Sequence, residues 1–141
     1  MIKLIIEGKV YNKFECVLEN SYRANDLLKM LSSIHKDETY SVKNIEVETD
    51  KEILGREYDV CDNSYCINLA NGKDALLVQK EGMHYGPDKD EKGAKFIITK
   101  KPYIKKVIGA IGSFYHIFVN VVSTNTGNSY RVTYDENCVL A

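Results

Sequence analysis

Alternating apolar and polar residues at the start of the chain predict a β-hairpin. Residues 2–6 are an apolar run, and residues 10–18 place Phe14, Cys16 and Leu18 at every second position. A period of two is the pattern of a strand with one buried face, and the polar residues between the two runs suit a turn. We therefore expect two strands, over residues 2–6 and 10–18.

Helical spacing follows the predicted hairpin. Asn20 and Ser21 offer an N-cap, because their side-chain oxygens can accept a hydrogen bond from the first turn of a helix. The spacing predicts a helix over residues 22–35, and His35 lies where the helix dipole favours a cation. The apolar stripe consists of Ala24, Leu27, Leu28, Leu31 and Ile34. We expect this stripe to pack on the sheet of the hairpin.

Further strands are predicted before a polar stretch in the middle of the chain. Val42–Val47 alternates as a third strand, and residues 58–61 and 65–69 read as short strands. Asn71-Gly72 is a strong hairpin signal between apolar segments, so the strand after it, residues 74–78, should pair with the strand before it.

The polar stretch divides the predicted organisation into two parts. Residues 81–92 are rich in Gly, Asp and Lys and are typical of a loop or linker. We predict an α+β N-terminal unit over residues 1–80 and a small antiparallel β-barrel-like unit over residues 93–141, which can also pack as one domain.

The C-terminal part alternates as an all-β unit. A strand over residues 95–99 is expected to end at Pro102, because proline cannot donate to a central strand. The glycines in residues 107–112 permit a bend or bulge. Two long strands are predicted over residues 114–123 and 129–134, joined by a turn.

Three segments of this part resemble small β-barrels of the KOW type, which are Src-homology-3-like. They are Gly93–Ile98, Ile108–Gly112 and Tyr130–Asp135. The resemblance implies an antiparallel barrel whose members bind nucleic acid, ribosomes or other proteins. A fold of this kind does not by itself choose among those partners.

Charge is distributed unevenly along the chain. The chain has 141 residues and a net charge of −1, whereas residues 93–141 are net +4 and residues 1–92 are net −5. One part therefore suits a polyanion and the other would repel it. No apolar run is long enough to span a bilayer, and the N-terminal residues do not form a signal peptide, so we expect a cytoplasmic protein without membrane partners.

A basic turn around Tyr103 is the strongest candidate site. Lysines that flank an aromatic ring can hold phosphate while the ring stacks on a flat group. The predicted ligand-binding residues are Lys100, Lys101, Tyr103, Lys105, Lys106 and Arg131. The favoured interpretation is a binding protein without catalytic activity, whose partner is an anionic ligand, nucleic acid or an acidic protein surface.

The acidic N-terminal part supports an alternative function. Its acidic residues include Asp37, Glu38, Glu46, Glu48, Asp50, Glu52, Glu57 and Asp59. Such a stretch is usually a solvated face, but it can also mimic nucleic acid and block a host protein. The small size and the lack of a catalytic constellation also resemble accessory proteins of phages and mobile elements.

The histidines and cysteines give a third hypothesis and one redox expectation. His84, with Tyr85 and Asp88 nearby, could centre a small hydrolase or transferase. No cofactor or metal site is predicted, since the histidines and cysteines lack metal-ligand spacing. In a cytoplasmic protein the four cysteines are read as thiols first, and a disulfide between Cys61 and Cys66 across a tight hairpin is expected only in an oxidising compartment. The ten tyrosines leave room for a homo-oligomer.

Overall fold

The computed structural model describes residues 1–35, 37–60, 65–68, 74–76, 91, 93–109 and 112–140, with side chains outside 65–68, 74–76 and 108–109. The elements in chain order are β1 (Ile2–Gly8), β2 (Phe14–Leu18), α1 (Ser21–Ser32), β3 (Val42–Thr49), β4 (Glu57–Tyr58), β5 (Tyr65–Asn68), β6 (Asp74–Leu76), β7 (Phe96–Gly109), β8 (Gly112–Ser123) and β9 (Ser129–Thr133). In this described part, an α-helix and two antiparallel sheets confirm the predicted α+β fold, and the larger sheet curls as a half-barrel. None of the described helices is long and apolar enough to cross a membrane.

The chain forms two compact units that interleave in sequence. The first unit consists of Met1–Glu52 and Pro102–Ile117, and the second of Ile53–Lys101 and Phe118–Ala141. Each of the strands β7 and β8 therefore contributes to both units. The loop predicted over residues 81–92 falls mostly outside the described residues, so the predicted boundary there stays a prediction.

The first unit contains a three-stranded sheet in the order β2-β1-β3. Ile2, Leu4 and Ile6 of the central strand are at most 1% exposed, because they alternate onto the face that α1 covers. Ala24 and Leu28 of the helix are fully buried. Full burial of a side chain as large as Ile or Leu stabilises the folded state by about 1.5–3 kcal/mol. The predicted strands and the predicted packing of the helix are confirmed.

Local contacts set the ends of β2 and α1 within the predicted ranges. The strand β2 begins at Phe14 and not at residue 10, because the ring of Tyr11 folds back over Gly8, where only a glycine leaves room for it. The side chain of Asn20 accepts a hydrogen bond from the N–H of Arg23 at 2.9 Å, which confirms the predicted N-cap. The helix ends at Ser32, three residues early, and the hydroxyl of Ser33 bonds the carbonyl of Met30 instead.

Side chains of α1 replace a neighbouring strand along part of β8. The strand β9 pairs with β8 only from Phe118 onward. Before that point, the N–H of Tyr115 donates to the hydroxyl of Ser32 at 2.8 Å, and the N–H of Ile117 donates to the amide oxygen of Asn25 at 3.2 Å. Asn25 and Ser32 lie two helical turns apart and so share a face. The helix therefore fixes the position of the β7–β8 hairpin in the first unit.

The larger sheet has the strand order β4-β7-β8-β9-β5-β6. The predicted long hairpin is confirmed as β8 and β9, and the strands predicted on either side of Asn71-Gly72 pair as β5 and β6. In the second unit, Phe96 and Tyr130 meet edge to face with ring centroids 6.2 Å apart. Tyr130 and Val132 are fully buried, and Tyr58 is 2% exposed. Several tyrosines thus belong to the core.

The predicted end of a strand at Pro102 is wrong. The strand β7 runs through Pro102 from Phe96 to Gly109. Ile98 exchanges hydrogen bonds with Gly55 and Arg56 beside β4, and alternate residues of a strand direct their N–H groups to the same edge. The nitrogen of Pro102 therefore faces the edge where β4 has already ended, and no ladder hydrogen bond is lost.

Candidate functional site

The basic residues predicted to form a turn lie on the strand β7, so the predicted turn is wrong. Lys100 and Lys101 belong to the second unit, whereas Tyr103, Lys105 and Lys106 belong to the first. The six predicted residues are thus divided between the two units, and their grouping into one site stays a prediction. The part that can act together within the first unit is the end of the β7–β8 hairpin.

The hairpin site, as we name it, consists of Tyr103, Lys105, Lys106 and Tyr115. The ammonium of Lys106 lies 5.2 Å from the centroid of the Tyr115 ring, which is cation–π geometry. Because successive strand residues point to opposite faces, Lys105 shares its face with Tyr103 and not with Lys106. Each face of the hairpin thus carries one exposed lysine and one half-buried tyrosine.

The hairpin site lies in a strongly basic segment of the sequence. No Asp or Glu lies between Glu91 and Asp135, a segment that carries six lysines and one arginine. Neither Lys105 nor Lys106 forms an ion pair with any residue in the described part of the chain. Both ammonium groups are therefore available to an external anion.

Tyr115 is the site residue that sequence analysis missed. Lys106 and Tyr115 each lie three residues from the hairpin ends at Gly109 and Gly112. The glycines were interpreted as a bend or bulge, whereas β7 pairs with β8 and Lys106 contacts Tyr115. The two glycines could have indicated this contact, but only if the β7–β8 hairpin had been recognised.

Arg131 is a predicted site residue whose described contact lies within the second unit. It lies on β9 in the second unit and is 8% exposed. Its guanidinium stacks over the ring of Phe118 at 4.8 Å from the centroid, which is a cation–π contact inside the unit. Its role in the described structure is packing.

His116 lies on β8 beside the hairpin site and is uncharged near neutral pH. Burial, and secondarily the charge of Lys29, lower the pKa of His116 from 6.5 to about 4. Its ring meets Phe114 edge to face, with centroids 6.0 Å apart. The positive charge of the site therefore comes from lysine at physiological pH.

Acidification is expected to destabilise the protein through His116. Because the folded pKa is the lower one, the unfolded chain binds the proton first, and stability falls as the pH drops from 6.5 to about 4. At pH 5 the loss is roughly 2 kcal/mol. Urea unfolding at pH 8 and pH 5 should show this loss in the wild-type protein and a smaller one in His116→Gln. Equal losses of stability in the two proteins would show that the lowered pKa of His116 is not the cause.

The second candidate surface is the solvent-facing side of the β2-β1-β3 sheet. The pairing register brings Glu15, Glu46 and Glu48 onto this face around Lys3. The ammonium of Lys3 lies 3.6 Å from Glu15 and 3.8 Å from Glu48, so one cation serves two carboxylates. The face remains net negative, and both carboxylates are well exposed.

Two remaining predictions concern cysteines and a catalytic group. Cys138 is disulfide-bonded, so reading all four cysteines as thiols is wrong for it. Cys138 lies far from the other cysteines in the sequence, but the backbone N–H of Asp59 donates to its carbonyl at 2.7 Å and brings the C-terminal segment beside β4.

The predicted catalytic alternative, His84 with Tyr85 and Asp88, lies outside the described residues. Within the described residues, no group of three His, Cys, Asp or Glu side chains could hold a metal ion.

Comparison with known proteins does not assign this chain to a family. No known family, curated protein or solved structure matches it. The resemblance to KOW-type barrels therefore stays a prediction, and the function must be argued from the site itself.

Proposed function

We propose that this protein binds nucleic acid through the hairpin site, without catalysing a reaction. The observation that supports the proposal is the pair Lys105 and Lys106, which are exposed, have no ion pair in the described structure and lie in a segment without acids. Phosphate contacts by lysine supply most sequence-independent affinity for nucleic acid.

The arrangement of the lysines favours a polymer over a small anion. Lys105 and Lys106 point to opposite faces of β7, so a compact anion is poorly placed to contact both. A chain of phosphates that follows the edge of β7 can meet one lysine and then the other. That edge has no strand partner beyond β4 in the described structure.

The tyrosines favour a single strand over a duplex. Tyr103 and Tyr115 are half-buried beside the lysines, so each ring is held by the sheet and still presents some surface. Unpaired bases stack on such rings with little dependence on sequence. A duplex offers its phosphates but keeps its bases out of reach.

The salt dependence of binding tests this proposal. We expect the affinity for a fluorescent single-stranded oligonucleotide to fall as salt rises, as measured by anisotropy. Lys105→Ala with Lys106→Ala should make the log–log salt slope shallower by about 1.4, since each single-strand phosphate contact contributes about 0.7. A slope that this double variant leaves unchanged would contradict the proposal.

A second candidate function uses the acidic sheet face. Glu15, Glu46 and Glu48 share that face with Lys3, and a row of carboxylates can stand in for phosphates and block a protein that binds nucleic acid. This function predicts binding to a basic protein that Glu46→Lys with Glu48→Lys abolishes and the lysine variants leave intact. We also propose a cytoplasmic location and an origin in a phage or mobile element.

A further inference from the structure

The strand β2 is an edge strand of the first unit's sheet. Its inner edge pairs with β1, and in the described part of the chain no strand pairs with its outer edge. Phe14 is 46% exposed and Val17 is 54% exposed, which leaves apolar surface on both faces of the strand. Natural proteins usually place proline or lysine on such an edge, as this chain does on β7 with Pro102 and its lysines. The strand itself, Phe14–Leu18, has neither.

We propose that β2 pairs antiparallel with β2 of a second copy of this chain. The two three-stranded sheets would then continue as one six-stranded sheet across a two-fold axis. Cys16 lies opposite Cys16 of the second copy, Phe14 opposite Leu18, and Lys13 opposite Glu19. This inference does not depend on the proposed function, because it uses a different strand.

Charge pairing favours the register centred on Cys16 over the registers centred on Glu15 and Val17. A two-fold axis perpendicular to the sheet requires one residue to lie opposite itself, because paired side chains must share a face. Centring on Glu15 places two like charges opposite each other, and centring on Val17 places Glu15 opposite Glu19. Like charges directly opposite are destabilising, whereas the Cys16 register pairs opposite charges at both ends.

The register also covers the apolar surface on one face of the strand. In the single chain, Phe14, Cys16 and Leu18 face the same side as the buried residues of β1. Placing Phe14 of each copy against Leu18 of the other extends this apolar row across the new pair. The exposure of Phe14 is therefore explained by a partner of the same sequence.

Cysteine crosslinking tests both the contact and its register. Cys16 is a free thiol, and directly opposite residues have Cα atoms about 4.5–5.5 Å apart, within the range of a disulfide. A mild oxidant should therefore convert the wild-type protein into a covalent dimer on a non-reducing gel, and Cys16→Ser should prevent it. The register controls, Cys16→Ser with Glu15→Cys and Cys16→Ser with Val17→Cys, should crosslink at least about tenfold more slowly, because each new thiol is displaced from its own copy. Equal rates in the controls would overturn the register.

Sedimentation of the full chain tests the dimer without oxidation. We expect a monomer–dimer equilibrium whose dissociation constant rises at least about tenfold in Phe14→Lys, which places an unpaired charge against Leu18. Val10→Lys is the matched control, since Val10 is 61% exposed and lies outside β2. Circular dichroism confirms that both variants fold. A protein that stays monomeric up to near-millimolar concentration overturns the proposal, as does an equal loss of dimer in Val10→Lys.

Discussion

Tyr58→Phe is expected to lower the free energy of unfolding by about 2–3 kcal/mol, although it removes one oxygen atom. The hydroxyl of Tyr58 donates to the carbonyl of Thr133 at 2.8 Å and accepts from the N–H of Asp135 at 2.9 Å. The residue is 2% exposed, so water cannot replace the lost oxygen. Burial also raises the pKa of Tyr58, which keeps the proton needed for donation. Two backbone groups at the end of β9 would lose their partner.

Urea unfolding of Tyr58→Phe and Tyr22→Phe measures this effect against a matched control. Tyr22 carries the same chemical change but is 72% exposed, so its substitution should alter stability by no more than about 0.5 kcal/mol. Equal stability of the two variants would show that the Tyr58 hydroxyl does not hold the end of β9 to the second unit's core.

The elements that were predicted correctly are those whose pattern lies within a few neighbouring residues. The hairpin strands β1 and β2 alternate with a period of two, and α1 combines an N-cap at Asn20 with an apolar stripe. Both signals act within a few residues, so neighbouring strands or helices do not alter them. The long pair β8 and β9 was predicted for the same reason.

The errors came from interactions between segments distant in sequence. Pro102 breaks a central strand, but its nitrogen faces an edge that β4 leaves open, and only the strand order reveals this. Cys138 lies far from the other cysteines along the chain, but the C-terminal segment returns beside β4. Sequence spacing cannot supply such pairings.

The sequence indicated the residue types of the candidate site but not how they are arranged. The lysines of this segment are exposed, and Tyr103 is half-buried beside them. The assumption of a turn grouped side chains that a strand sends to opposite faces. It also left out Tyr115, whose contact with Lys106 depends on the register of the hairpin. The structure therefore replaces a basic loop with a two-faced basic hairpin.

Reversing the charge of the hairpin site is expected to produce the largest loss of binding. Lys105→Glu with Lys106→Glu replaces two attractive contacts with two repulsive ones in a segment that has no acids to compensate. We expect the affinity for single-stranded oligonucleotide to fall by about a hundredfold at low salt, since such affinity is mainly electrostatic. Both lysines are exposed, so the substitutions should leave the fold intact.

The control variant carries the same change in net charge elsewhere in the first unit. Lys9 and Lys51 are exposed and belong to the same unit, but they lie outside the hairpin. Lys9→Glu with Lys51→Glu therefore separates a local site from a general effect of net charge. A nonspecific electrostatic attraction would weaken by similar factors in both double variants.

The most direct test of the proposed function is an anisotropy titration of labelled single-stranded oligonucleotide with three proteins. These are the wild-type protein, Lys105→Glu with Lys106→Glu, and Lys9→Glu with Lys51→Glu. The account predicts binding by the wild type, a loss of about a hundredfold in the hairpin variant and a loss of less than about tenfold in the control. Wild-type protein that does not bind, or equal losses in the two double variants, would contradict it.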